Sequence, residues 1–178
     1  SYNRKILDTT SNRYFFVAEP LELKVTQVPK RGFPVLLPLQ PNKPELHREY
    51  LINPEENSQL SFWIPKKDVE VMDPEKVFRL MELFNIKIES KTDNSVTAKY
   101  TSESYEDVRK IKVQLIQWIP KFTEFPTQVV MPDASITEGF AEADCKKLKP
   151  DAIIQFERFG FVQINEVGEK LIANYAHK

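Results

Sequence analysis

Short runs in which apolar and polar residues alternate, each closed by proline or a polar cluster, limit this chain more than any other feature. Between Pro20 and Pro29, Leu21, Leu23 and Val25 alternate with Glu22, Lys24 and Thr26. A period of two places every second side chain on one face, which is the pattern of a strand buried on one side. The rhythm returns in Leu60, Phe62 and Ile64, in Phe84, Ile86 and Ile88, and in Val96, Ala98 and Tyr100. Two further strands, 152–157 and 161–165, flank Arg158, Phe159 and Gly160. That spacing predicts a hairpin in which Gly160 takes the positive φ of a tight reversal. Helical spacing is confined to 74–84, 103–118 and 140–148, and Val77, Phe78, Ile111, Val113 and Ile116 turn the first two toward strand. Many short strands about ten residues apart, with turn signals between them, predict an all-β, mainly antiparallel fold of sandwich or barrel type with a few short helices.

Composition removes several function classes. Four widely separated glycines among 178 residues cannot build the Gly-rich loop that wraps phosphate in Walker or Rossmann sites. The two histidines, His47 and His177, and the single cysteine, Cys145, form no ligand cluster, so no metal site is expected. His47 beside Arg48 and Glu49 reads as an ordinary histidine, since no nucleophile elbow accompanies it. Cys145 reads as a plain small residue despite Lys146 and Lys147. No catalytic residue is therefore assigned. No run of eighteen apolar residues exists, and Ser1 to Lys5 lack a signal peptide's apolar core, so no membrane contact is expected and a reducing cytoplasm is the expected location.

Net charge is −1, which argues against indiscriminate attraction to DNA or RNA. Its distribution is uneven. Residues 1–50 carry eight Lys/Arg against five Asp/Glu, 51–145 carry eleven against seventeen, and 146–178 carry six against four. Basic ends around an acidic middle would give a mildly positive surface if the ends met in space; a split without function is the plain alternative.

The densest motif is Gln155-Phe156-Glu157-Arg158-Phe159-Gly160-Phe161-Val162, preceded by Glu142 and by Lys149-Pro150-Asp151. Near the other end, Asn12-Arg13-Tyr14-Phe15-Phe16-Val17 leads through Pro20 into the first alternating run. Between them, in order, stand Lys66-Lys67-Asp68, Val77-Phe78-Arg79-Leu80, Trp118-Ile119-Pro120, Met131-Pro132-Asp133 and Gly139 with Glu142. This collinear set covers nearly the whole chain. It resembles the C-terminal anticodon-binding region of the class I glutamyl- and glutaminyl-tRNA synthetases, and the aromatic-rich ends look most like the archaeal glutamyl type. The two outer motifs are specific and the middle ones loose; Asp73-Pro74-Glu75-Lys76 stands where the family usually has a glycine before Arg79.

The resemblance implies two packed β-barrels, a proximal one from roughly 12–55 plus 122–170 and a distal one from roughly 56–121. It implies recognition of tRNA specific for glutamate, with glutamine tRNA as a further candidate. Arg13, Gln155 and Arg158 would meet the middle anticodon base, a uridine, and Arg79 the first. ATP and Mg would belong to a separate catalytic domain carrying HIGH-like and KMSKS-like motifs, which this sequence lacks, so the chain would need no cofactor and perform no chemistry. That catalytic domain would be its partner within a glutamate-tRNA ligase. An amide offers donor and acceptor, and a guanidinium a donor fork, to an unstacked base.

Plain packing competes with each assignment. Phe156, Phe159 and Phe161 read mainly as core and hairpin packing, Trp63 and Trp118 as barrel core before stacking platforms, and Arg158 alternatively as a surface partner of Glu157. Two other functions stay open: an RNA-recognition motif, whose RNP1 strand Arg158 to Val162 partly resembles, and a β-rich protein-interaction module unrelated to aminoacylation.

Overall fold

A computed structural model describes residues 11–177, the side chain of His177 excepted. Residues 1–10, on which the signal-peptide reading rests, lie outside the described residues. The first strands are β1 (Arg13–Tyr14), β2 (Phe16–Ala18), β3 (Pro20–Thr26), β4 (Phe33–Pro38), β5 (His47–Ile52) and β6 (Leu60–Pro65). A four-residue helix, α1 (Lys66–Val69), precedes β7 (Val77–Leu80), β8 (Phe84–Lys91), β9 (Ser95–Ser102), β10 (Gln114–Ile116) and β11 (Ile119–Pro120). The last strands are β12 (Phe125–Val130), β13 (Ile136–Ala141), β14 (Ile153–Phe156), β15 (Gly160–Val167) and β16 (Leu171–His177). The protein is mostly antiparallel β-sheet, curled into two half-barrels. Among the described residues no helix is long and apolar enough to cross a membrane.

The chain divides into two compact units. Unit 1 comprises the residues up to Glu19, Leu36–Arg48 and those from Thr123 on; unit 2 comprises Pro20–Val35 and Glu49–Phe122. Residues 20–35 and 49–55 thus join 56–121, whereas the sequence reading groups them with 12–19. The reason is pairing: β3 runs antiparallel to β6 and parallel to β9. The alternation seen in the sequence drives this, since Leu23 and Val25 point inward and are fully buried.

Unit 1 holds a seven-stranded sheet in the order β1-β14-β15-β16-β12-β13-β2. Its core gathers Tyr14, Phe16, Phe125, Val129, Ile154, Phe156, Val162 and Leu171. Unit 2 holds a sheet in the order β10-β7-β8-β9-β3-β6-β11. Phe62, Phe84 and Trp118 fill its interior, with Trp118 edge-on to Phe62 at 5.7 Å and its indole N–H donating to Met81 O. A satisfied indole inside a core fits the packing reading of that residue. β4 and β5 pair as a separate two-stranded ribbon.

The helical candidates shrink to short pieces. Apart from α1, the non-sheet turns named here are 3-10 pieces at Tyr105–Asp107, Arg109–Ile111 and Ala143–Lys147, while 74–84 becomes β7 and the start of β8. The two amphipathic helices of an RNA-recognition motif are not found among the described residues.

Candidate nucleic-acid interface

Unit 1 brings two of the four expected contact residues, Arg13 and Gln155, together at one sheet edge and places a third, Arg158, in the turn that follows β14. β1 runs parallel to β14, with Arg13 opposite Gln155 and Tyr14 opposite Phe156. Alternation then sorts the faces: Tyr14, Ile154 and Phe156 are buried, while Arg13 and Gln155 are half-buried on the outward side. Arg13 Nε and Gln155 Oε1 are both shielded from solvent and have no hydrogen-bond partner. A buried polar atom left unpaired costs about 1–3 kcal/mol. Here a donor and an acceptor stand side by side in that condition, which is the complement of a planar group offering one of each.

Arg158 is exposed in the turn that joins β14 to β15. Phe159 N–H donates to Phe156 O at 3.0 Å, closing a four-residue turn whose third position is Arg158 at φ 64. Type II turns demand positive φ there and usually place glycine or asparagine in the position. The left-handed residue is thus the arginine as well as Gly160, which has φ 149. Positive φ recurs at other long side chains of this protein, among them Glu19, Glu75, Glu82 and Lys112, so it shapes the turn without marking a function. The aromatic residues of the hairpin pack: Phe16 stacks on Phe156 at 4.7 Å, and Phe159 sits edge-on to Phe16 at 5.0 Å and to Tyr175 at 5.8 Å.

Arg79 lies apart, in β7 of unit 2. It is 9% exposed, and its Nη1 donates to Asn85 Oδ1 at 2.9 Å and to Glu103 O at 2.8 Å. Asn85 in turn donates to Ser102 Oγ and Ser104 O, so Arg79 anchors the segment entering the 3-10 turn at Tyr105. The Tyr105 ring, half exposed, lies 5.8 Å from the Arg79 guanidinium carbon.

Sequence reasoning missed the buried ion pair beneath the edge. Arg48 Nε meets Glu142 Oε1 at 2.6 Å and Nη2 meets Oε2 at 2.9 Å, a bidentate geometry with both side chains under 5% exposed. Glu142 Oε2 also accepts from Phe15 N–H at 2.6 Å, pinning the residue between β1 and β2. Arg48 Nη1 donates to Pro38 O, and its guanidinium lies 3.9 Å from Glu157. Nothing in one sequence joins Arg48 to a carboxylate 94 positions away. Cys145, fully buried beside this pair, has its thiol pushed well above the ordinary value by burial, which makes it inert.

Burial lifts the Glu157 carboxyl above its ordinary value of 4.5, with the Arg48, Arg13 and Arg158 cations pulling the other way. A carboxyl whose pKa rises on folding binds its proton more tightly in the folded state. Its stabilising contribution is therefore complete below 4.5 and is lost as pH rises through the raised value. Replacing Glu157 by Gln is expected to leave stability near pH 4 unchanged and to raise it near pH 7, read as urea midpoints at the two pH values. A fall at the higher pH would mean that attraction to Arg48 outweighs burial.

Residues 11–106 match the family described as "tRNA synthetases class I (E and Q), anti-codon binding domain", and residues 105–165 match a second family model of the same description. The chain belongs to this family. Glutamate–tRNA ligase from Pyrococcus abyssi is 38% identical over 181 residues, covering 99% of this chain and 30% of that protein. The ligase of Methanocaldococcus jannaschii is 37% identical over 177 residues and that of Pyrococcus furiosus 36% over 180, with the same coverage of both chains. The chain therefore spans about 30% of the length of the curated relatives it matches. Arg13, Arg79, Gln155 and Arg158 all fall inside the spans matched by the family, as do Arg48 and Glu142.

Proposed function

We propose that this chain reads the anticodon of glutamate tRNA on behalf of an ATP-dependent glutamate–tRNA ligase whose catalytic domain is its partner and supplies the ATP and Mg chemistry. Glutamine tRNA, which shares the middle uridine, is the second candidate substrate, and the cytoplasm is the proposed location. The observation that carries the reading is the adjacent, unpaired Arg13 Nε and Gln155 Oε1 on the outward face of unit 1. Uracil offers an N3–H that suits the amide oxygen and a carbonyl that suits the guanidinium, so both shielded atoms would gain the partner they lack once the two side chains swing outward to a docked base. Arg158, held by its turn beside this pair in sequence, adds a cation for a base carbonyl or phosphate. Arg79 is proposed to act at the first anticodon base by setting the Tyr105 segment, since its own Nη1 is engaged within unit 2.

A mobility-shift titration tests this. Binding to glutamate tRNA should be salt-sensitive and should weaken when the middle uridine is replaced by cytidine. Arg158→Ala is expected to cost about 1–3 kcal/mol of binding free energy, the range of a single base contact. Equal affinity for the two tRNAs would remove the decoding role, and an unchanged Arg158→Ala variant would return that arginine to the ordinary surface.

A further inference from the structure

A second layer of contacts holds the outer flank of β1. This strand is two residues long and ends its sheet's order, so among the described residues β14 is its only ladder neighbour. Gln155 N–H donates to Asn12 O at 2.9 Å and Glu157 N–H to Tyr14 O at 3.1 Å. Burial of Tyr14 on one face of β1 favours this register, and a slip of one residue would turn Arg13 to the face opposite Gln155. Glu142 holds the far end of β1 through Phe15 N–H, and a further restraint comes from the segment after β4. Arg13 N–H donates to Leu39 O at 2.7 Å, and Gln40 Nε2 donates to Asn12 Oδ1 at 2.9 Å.

That segment is itself anchored. Leu39 packs against the core of unit 1, and Gln40 is 7% exposed. Pro38 and Pro41 bracket the two residues, and the fixed φ of proline stiffens such a segment. Asn12 thus receives a bond on its side chain from one flank and on its backbone carbonyl from the other.

We infer that Gln40 is a positioning residue for base reading: through Asn12, its amide fixes β1 in the register that sets Arg13 beside Gln155. The inference rests on the assignment of Arg13 and Gln155 to the middle base. Leucine at position 40 would keep most of the side-chain volume and remove the donor, so its effect should fall on discrimination before it falls on folding.

The test compares the full chain with its Gln40→Leu, Gln40→His, Gln155→Ala and Arg13→Ala variants, each titrated with glutamate tRNA and with its middle-base cytidine variant, and each melted. Gln40→Leu should narrow the affinity ratio of the two tRNAs about fivefold while leaving affinity for the cytidine variant in place. Gln40→His, whose ring N–H still donates, should keep most of the ratio. An unchanged ratio in Gln40→Leu overturns the inference, and so does an equal loss for both tRNAs that tracks a lowered melting temperature. If Gln40→Leu does not fold, Gln40→Met takes its place under the same criteria. Should Gln155→Ala and Arg13→Ala also leave the ratio intact, the base-reading assignment itself fails and the role of Gln40 falls with it. Narrowing in those two alone removes only the role of Gln40.

Discussion

Replacing Glu142 by Ala should destabilise the protein by about 3–5 kcal/mol, the cost of leaving one member of a buried ion pair without its partner. Glu142 takes both forks of the Arg48 guanidinium and the Phe15 N–H, so its loss strands a buried cation and a buried backbone donor together. Pro38 O and the more distant Glu157 compensate only in part. The Arg48→Met/Glu142→Leu double variant should lose much less, because the charges leave together. Urea midpoints at unchanged slope would show both effects. A loss below about 1 kcal/mol in Glu142→Ala would mean that water reaches the pair and that it behaves as a surface bridge. The same change frees Phe15, and with it the flank of Arg13, so binding to tRNA should fall as well.

Gly139→Ala comes next in expected size, at about 3 kcal/mol of stability. A Cβ at Gly139 would lie 2.3 Å from Val17 O and within 2.9 Å of the Phe16 ring. The first neighbour is backbone and cannot rotate away. β13 and β2, which pair through Gly139 opposite Ala18 and Phe140 opposite Val17, would have to part. Because Phe16 stacks on Phe156, the shift would reach the hairpin that carries Arg158. Hydrogen exchange in β2 and β13 should rise together with the drop in melting temperature. A melting temperature equal to that of the parent chain would show that the sheet edge yields without cost.

The strands were legible wherever one face is buried. The alternation at Leu21 to Val25, Leu60 to Ile64 and Phe84 to Ile88 became β3, β6 and β8, because period two in a sequence is a direct image of a two-faced sheet. Partners were not legible in that way. Parallel pairing of β1 with β14 joins distant segments, and hydrophobic pattern fixes which face is inside without saying which strand lies alongside. The site followed the same division. Arg13, Gln155 and Arg158 came from motif resemblance, whereas the Arg48–Glu142 pair, the Gln40–Asn12 bond and the burial of Arg79 exist only in three dimensions. The turn showed another limit: Gly160 drew attention as the flexible residue, yet the left-handed third position of the turn belongs to Arg158.

Unit 2 is built wholly from chain lying between segments of unit 1. Arg13 and Gln155 therefore come from opposite sides of that intervening body, and they become neighbours only once the loop containing all of it has closed. A chain halted with the inner body formed but β14 undocked would present Tyr105, held by the buried Arg79, while lacking the adjacent donor and acceptor. Discrimination at the middle uridine would thus double as a certificate of finished assembly, a property that a reader placed on one continuous hairpin would not possess.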